Sequence, residues 1–382
     1  MSSLKYWIWL SMRAGIGAAR AKIILEHFGT PERVYNAEGR DFLDVEGIKM
    51  DDINELMQKD LSAANKALAS CSEIGCRTVT LLDSDYPDRL RNIYDPPLIL
   101  YVRGSLPDID EEPVVGVVGT RKCTPYGMKT AENIGYNLSR AGIIVTTGLA
   151  LGVDSVAARG ALRGGSKVVG VIGSGLDVIY PPDNKHLFDD VANYGAVISE
   201  YPPGTPAVKT HFPARNRIIS GLSLGVAVIE APVKSGALIT ASRALEQGRD
   251  VFALPGNVDA VTCEGSNALL REGAIPFVSA DDIIDEYIEM YPDKINVKKK
   301  SEIKNSFDNT TKVDYIDLGN LTEKFEGDEK LIAEAIISNP LHTDEIISIS
   351  GVPAQRTLTA LSLLELDGHI HRNKNGKWEI TV

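Results

Sequence analysis

Cysteine is scarce: Cys71, Cys76, Cys123 and Cys263 are the four in a chain of 382 residues. Only Cys71 and Cys76 are close, and they lack the Cys-x-x-Cys spacing of a metal knuckle, so no metal site is expected and all four read as reduced, structural thiols. Long apolar runs are missing as well. No stretch approaches the roughly 18 residues that would cross a bilayer. Tyr6 to Leu10 is too short for the core of a secretion signal. No membrane segment is expected, and the cytoplasm is the expected compartment. Positive charge is in deficit, with 40 Lys and Arg against 52 Asp and Glu. A net charge of −12 excludes a protein coated in nucleic-acid-binding surface but leaves room for a local patch. Residues 113–225 hold 11 Lys and Arg against 7 Asp and Glu, so an anion site belongs there.

A chain of this length implies two or three folding units. Residues 1–75 show apolar spacing near that of a helix over Lys5 to Met12, Ala18 to Phe28, Pro31 to Ala37, Met50 to Met57 and Leu61 to Ile74. Within them, Gly15-Ile16-Gly17-Ala18 followed by Phe28-Gly29 resembles a helix-hairpin-helix, although a plain inter-helix turn is the favoured reading of the glycines in so acidic a segment. Residues 76–290 change to apolar strands alternating with helices, the pattern of a Rossmann-like α/β domain with a parallel sheet covered on both faces. Its strands are Val114 to Val118, Ile143 to Thr147, Lys167 to Ile172, Gly195 to Ser199, Val226 to Glu230 and Asp250 to Ala253, with edge structure from Arg77 to Leu82 and Leu98 to Arg103. Residues 291–326 are polar and read as a linker. Residues 327–382 read as three helices (Asp328 to Ile337, Thr343 to Ser350, Pro353 to Asp367) and a hairpin turned at Asn373 to Gly376, a winged-helix-like domain. From Asp328 to Val382 there are 5 Lys and Arg against 8 Asp and Glu, which disfavours major-groove reading.

In an open α/β sheet, ligands bind beyond the carboxyl ends of the strands. Four glycine-rich loops fall there: Gly116 to Lys122, Gly148 to Asp154, Gly173 to Asp177, and Ser235 to Thr240. Glycine lets a phosphate approach the backbone, and the N–H groups opening each helix supply partial positive charge. The first turn lacks the GxGxxG fingerprint and there is no GxxxxGK[ST] loop, so neither NAD nor ATP is expected and no cofactor is assigned. Beside the glycines stand Arg121, Lys122, Lys185, Lys209, Arg215 and Arg217, with Phe212 among them. Cations for phosphates and a ring for a base together favour single strands. Asp154 and Asp177 read as caps on loop backbone, not as metal ligands.

Gly119-Thr120-Arg121, Ser174 to Pro181 with Asn184, Ser199 to Gly204, Phe212-Pro213-Ala214-Arg215-Asn216-Arg217 to Ser223 and Gly236 to Ala241 run in order over about 200 residues and resemble the DNA-processing protein A (DprA/Smf) family. The helical (SAM-like) N-terminal and winged-helix C-terminal modules fit it too. The resemblance implies a homodimer that binds and protects incoming single-stranded DNA during natural transformation and loads the RecA recombinase, without being an enzyme. Its glycine-threonine-arginine motif falls on Gly119, Thr120 and Arg121, and its Lys-x-x-Phe element on Lys209 and Phe212. The candidate DNA contacts are Gly119, Thr120, Arg121, Gly173, Gly175, Lys185, Lys209, Phe212, Arg215, Asn216, Arg217, Ser235 and Gly236, with no catalytic and no metal residue. The fold also resembles LOG-like nucleotide phosphoribohydrolases. Their PGGxGTxxE signature is broken here, where the chain reads Lys234-Ser235-Gly236-Ala237-Leu238-Ile239-Thr240 and the next acid is Glu246.

Overall fold

The computed structural model describes residues 3–296, 327–336, 341–366, 369–372 and 376–380. Most of the expected linker, its Lys298 to Lys300 run and the Asn373 to Asn375 turn lie outside the described residues. The chain divides into two compact units, residues 1–301 and 302–382.

The first unit opens with helices α1 (Leu4–Ser11), α2 (Ala18–Phe28), α3 (Pro31–Asn36), α4 (Met50–Leu56) and α5 (Ser62–Glu73). The run Trp7-Ile8-Trp9-Leu10 is wholly buried on α1, and the Trp9 indole N–H donates to the Gln58 carbonyl at 3.0 Å, so the ring is both packed and satisfied. The same hydrophobic core continues without a break into the α/β region as far as Ile295.

That region follows in the order β1 (Arg77–Thr80), α6 (Asp88–Arg91), β2 (Ile99–Gly104), β3 (Val114–Val118), α7 (Pro125–Arg140), β4 (Ile144–Thr147), α8 (Val153–Gly164), β5 (Val168–Ile172), α9 (Lys185–Tyr194), β6 (Ala196–Ser199), α10 (His211–Leu222), β7 (Gly225–Val228), α11 (Gly236–Glu246), β8 (Asp250–Ala253), α12 (Glu264–Arg271), β9 (Ile275–Pro276) and α13 (Ala280–Tyr287). Nine strands make one sheet in the order β1-β2-β6-β5-β4-β3-β7-β8-β9. Strands β3 to β9 pair in parallel, while β1 with β2 and β2 with β6 are antiparallel. Every residue of β3 and β5 is buried. Successive side chains point to opposite faces of a strand, so both faces are covered, and this is why these segments read as unbroken apolar runs. Helix α7 lies against α8 with backbones nearly touching: a Cβ on Gly135 would strike the Ala157 carbonyl, and one on Gly160 the Glu132 carbonyl.

The chain runs from β3 outward through β4 and β5 to β6, then returns to place β7 on the other side of β3. The strand order therefore reverses between β3 and β7, which pair from Val115 with Gly225 to Val118 with Val228. A crevice at such a reversal is where an open α/β sheet takes a ligand.

The second unit holds α14 (Gly327–Ile336), α15 (Thr343–Ser350), α16 (Ala354–Leu366) and an antiparallel pair, β10 (Ile370–Arg372) with β11 (Trp378–Ile380). Ile332, Ile346, Leu361, Leu364 and Trp378 form its own core, the winged-helix arrangement. At the start of α16 the Arg356 guanidinium makes two bonds, 2.6 and 2.8 Å, to the Asp328 carboxylate and is engaged within the unit. Among the described residues no helix is long and apolar enough to cross a membrane.

Candidate nucleic-acid interface

The loops after β3 and β7 and the start of α10 enclose an open cleft of about 810 Å³. Its first wall is Gly119-Thr120-Arg121. The Thr120 N–H donates to the Glu230 carbonyl at 2.7 Å and the Thr120 carbonyl accepts from Val153 N–H at 3.3 Å, so the loop is tied on one side to the end of β7 and on the other to α8. Gly152 makes the second tie possible. Its φ of +80° suits glycine alone, and a Cβ there would sit 2.7 Å from the Arg121 carbonyl. Just downstream, the buried Glu230 carboxylate accepts from Thr124 N–H (2.9 Å) and Thr124 Oγ1 (2.6 Å), while that hydroxyl caps α7 by accepting from Gly127 N–H at 3.1 Å. Between these anchors Arg121 and Lys122 are exposed.

The second wall is the first turns of α10. Phe212 is half-buried, and the Arg121 guanidinium carbon lies 5.2 Å from its ring centroid, within cation–π range. Tyr180 stands beside it, ring centroids 5.6 Å apart and planes inclined at 38°. Lys209 and Lys234 also line the cleft. The floor is polar and buried. Arg215 donates to the Gly148 carbonyl at 2.8 Å, and the Asp154 carboxylate accepts from Gly148 N–H at 3.1 Å. Burial pushes the Asp154 pKa up, partly offset by Arg215, and burial lowers Arg215 to about 10. The third wall is the N-terminus of α11, where Ser235 Oγ caps Ala237 N–H at 3.2 Å and the Asn216 amide donates to the Gly236 carbonyl at 3.1 Å.

Of the thirteen residues expected to touch DNA, nine line this one cleft: Gly119, Thr120, Arg121, Lys209, Phe212, Arg215, Asn216, Ser235 and Gly236. Four do not. Gly173 lies beneath Phe212, where a Cβ would come within 3.3 Å of the ring. Gly175 is a packing glycine, whose Cβ would meet Asp177 Oδ1 and the Pro202 carbonyl, each at 2.7 Å. Lys185 is exposed at the start of α9, away from the cleft lining.

Arg217 requires a correction. It is buried, with both terminal nitrogens on the Glu200 carboxylate at 2.8 and 2.6 Å and Nε on the Asp95 carbonyl at 2.9 Å. Burial alone would lower its pKa, but the Glu200 and Asp95 carboxylates more than reverse this and hold it above the ordinary value. Arg215 and Arg217 stand two apart on one helix and cannot face the same way. Tyr180 and Lys234 belong to the cleft without having been expected there. Asp154 and Asp177 cap loop backbone, the latter accepting from Gly204 N–H at 2.8 Å. Among the described residues no cluster suited to a metal ion occurs, and all four cysteines are free.

Comparison with known proteins bears on this geometry. The family described as DNA recombination-mediator protein A matches residues 77–288, and the DprA winged helix domain matches residues 322–376. The chain is 46% identical over 208 residues to the DNA processing protein DprA of Streptococcus pneumoniae, covering 54% of this chain and 73% of that one. It is 32% identical over 398 aligned positions to the protein Smf of a Synechocystis species, covering 99% of each. Among solved structures it resembles the Streptococcus pneumoniae DNA processing protein A, with TM-score 0.66 and 37% identity over 74% of this chain and 97% of the other. It also resembles the DNA processing protein A of Helicobacter pylori, described for its single-stranded DNA binding mode, with TM-score 0.51 and 30% identity over 56% of this chain and 97% of the other.

Proposed function

Because this chain belongs to the DNA recombination-mediator protein A (DprA/Smf) family, we propose that it binds single-stranded DNA in the cleft between β3 and β7, without covalent chemistry. The observation that carries the reading is the placement of Arg121 over the Phe212 ring, with Tyr180, Lys209 and Lys234 around the same opening. Guanidinium and ammonium groups neutralise phosphates, and rings stack on bases of any sequence. The contacts assigned are those of Gly119, Thr120, Arg121, Lys209, Asn216, Ser235 and Gly236, with Phe212 beneath Arg121. Arg215 shapes the floor. Asp154, an acid lining the cleft, is buried and accepts from Gly148 N–H, the role of a loop cap.

In the cell the protein acts in the cytoplasm as a homodimer, protecting incoming strands during natural transformation and passing them to the RecA recombinase; family membership is what supports this part. Fluorescence anisotropy with oligo-dT and with a blunt duplex of matched length tests the binding. Oligo-dT should bind more tightly at every salt concentration, and equal affinity would overturn the reading. Release of ribose 5-phosphate from nucleoside monophosphates would overturn the absence of catalysis.

A further inference from the structure

Phe212 is the ring the sequence marks for stacking, yet its surroundings leave little of it for a base. The Arg121 guanidinium lies over it at 5.2 Å, and the ring edge is close enough to Gly173 that a Cβ there would come within 3.3 Å of it. Tyr180 is differently placed. It is 46% exposed, and its 38° inclination to Phe212 at 5.6 Å is not a parallel stack that would cover its face. It stands at a small slot, lined also by Arg121, Leu151 and Phe212, that shares Arg121, Tyr180 and Phe212 with the main cleft. Leu151 is exposed there as well, so the slot offers apolar surface beside a cation.

We infer that Tyr180 is the ring on which a nucleobase stacks, and that Phe212 is a positioning residue that holds Arg121 for the adjoining phosphate. The inference rests on the single-strand reading above and deepens it. A strand then passes with one phosphate at Arg121 and the neighbouring base on Tyr180. The site recognises a base by its face, so it takes any base and rejects a backbone without one.

The test compares oligo-dT with an abasic strand of equal length and charge, by anisotropy on the full chain. The parent should prefer oligo-dT. Tyr180→Ala should lose roughly five- to 160-fold on oligo-dT, the range for one stacked base, and nothing on the abasic strand; Tyr180→Phe should restore the preference. Phe212→Ala should weaken both strands alike, because it releases Arg121. The emission of a Tyr180→Trp variant should be quenched by oligo-dT and not by the abasic strand, which reports contact even if the alanine variant is poorly folded.

A parent that binds both strands equally overturns the stacking role and leaves phosphate binding in place. The same follows if Phe212→Ala, and not Tyr180→Ala, abolishes the preference. A parent that fails to bind oligo-dT at all overturns this inference and the single-strand reading together.

Discussion

Replacing Arg217 by alanine separates a structural cation from a ligand-binding one. The side chain is 6% exposed, Glu200 is 15% exposed and Asp95 30%. Alanine would strand the Glu200 carboxylate, which now receives both guanidinium nitrogens, and free the Asp95 and Ala214 carbonyls, bonded at 2.9 Å each. Breaking a buried ion pair from one side costs about 3–5 kcal/mol. Glu200 keeps some access to water, which places the expectation near the lower end, about 3 kcal/mol. Urea unfolding of parent and variant measures it. The double replacement Arg217→Met with Glu200→Leu should recover most of the loss, because the more buried carboxylate is then gone and Asp95, 30% exposed, keeps contact with water. Arg121→Ala behaves in the opposite way. Stability should change little and oligo-dT binding should weaken, with a salt dependence of log K flatter by about 0.7 because one phosphate is no longer neutralised by the protein. If Arg217→Ala were as stable as the parent within about 1 kcal/mol and flattened that slope instead, the guanidinium would be meeting phosphate and the ion-pair argument would be wrong.

Gly152→Ala should cost about 1–3 kcal/mol from its backbone conformation alone, and should lower oligo-dT affinity by shifting Thr120 and Arg121; parental unfolding and binding curves would contradict this. Lys59, pressed among Trp9, Tyr35 and Phe42, has its pKa lowered by burial to about 8. Since the unfolded value is higher, the unfolded chain holds the proton more tightly above pH 8, and the parent should gain stability relative to Lys59→Met as pH rises from about 8 to 10. Denaturation midpoints at several pH values check the sign, and a gap that moves the other way would refute it. Deleting Asp328 to Val382 removes 5 Lys and Arg and 8 Asp and Glu, so oligo-dT affinity should stay within about tenfold, or 1.4 kcal/mol; a larger loss in titration would place the winged helix on DNA.

The parallel strands were legible because burial on both faces selects runs such as Val114 to Val118 and Val168 to Ile172, and little else in a chain reads that way. The antiparallel strands β1 and β2 were found as extended segments, but direction is set by pairing with β6 and leaves no mark on a short run. Strand β9 has two residues, too few for any periodicity. In the site, residues of the glycine loops meet at one cleft because the loops' spacing follows the strands. Side-chain destination was harder. Lys209 and Arg217 look alike in sequence, and only the fold brings Glu200 beside the second. Helical geometry would have separated Arg215 from Arg217, since positions two apart diverge. Tyr180 was invisible as a ligand-binding residue, because a Tyr before Pro181 is as well explained by packing until its exposure is known.

Among the described residues the sheet ends at β9, where Pro276 is paired with Ala253. Proline has no N–H to offer the next strand, and a strand of two residues gives an incoming chain almost no register to read. Growth of the sheet by strand addition is therefore disfavoured at this end, which protects a largely parallel sheet from the edge-to-edge association that leads to aggregates. Copies of this chain that meet near β9 would have to do so through side chains.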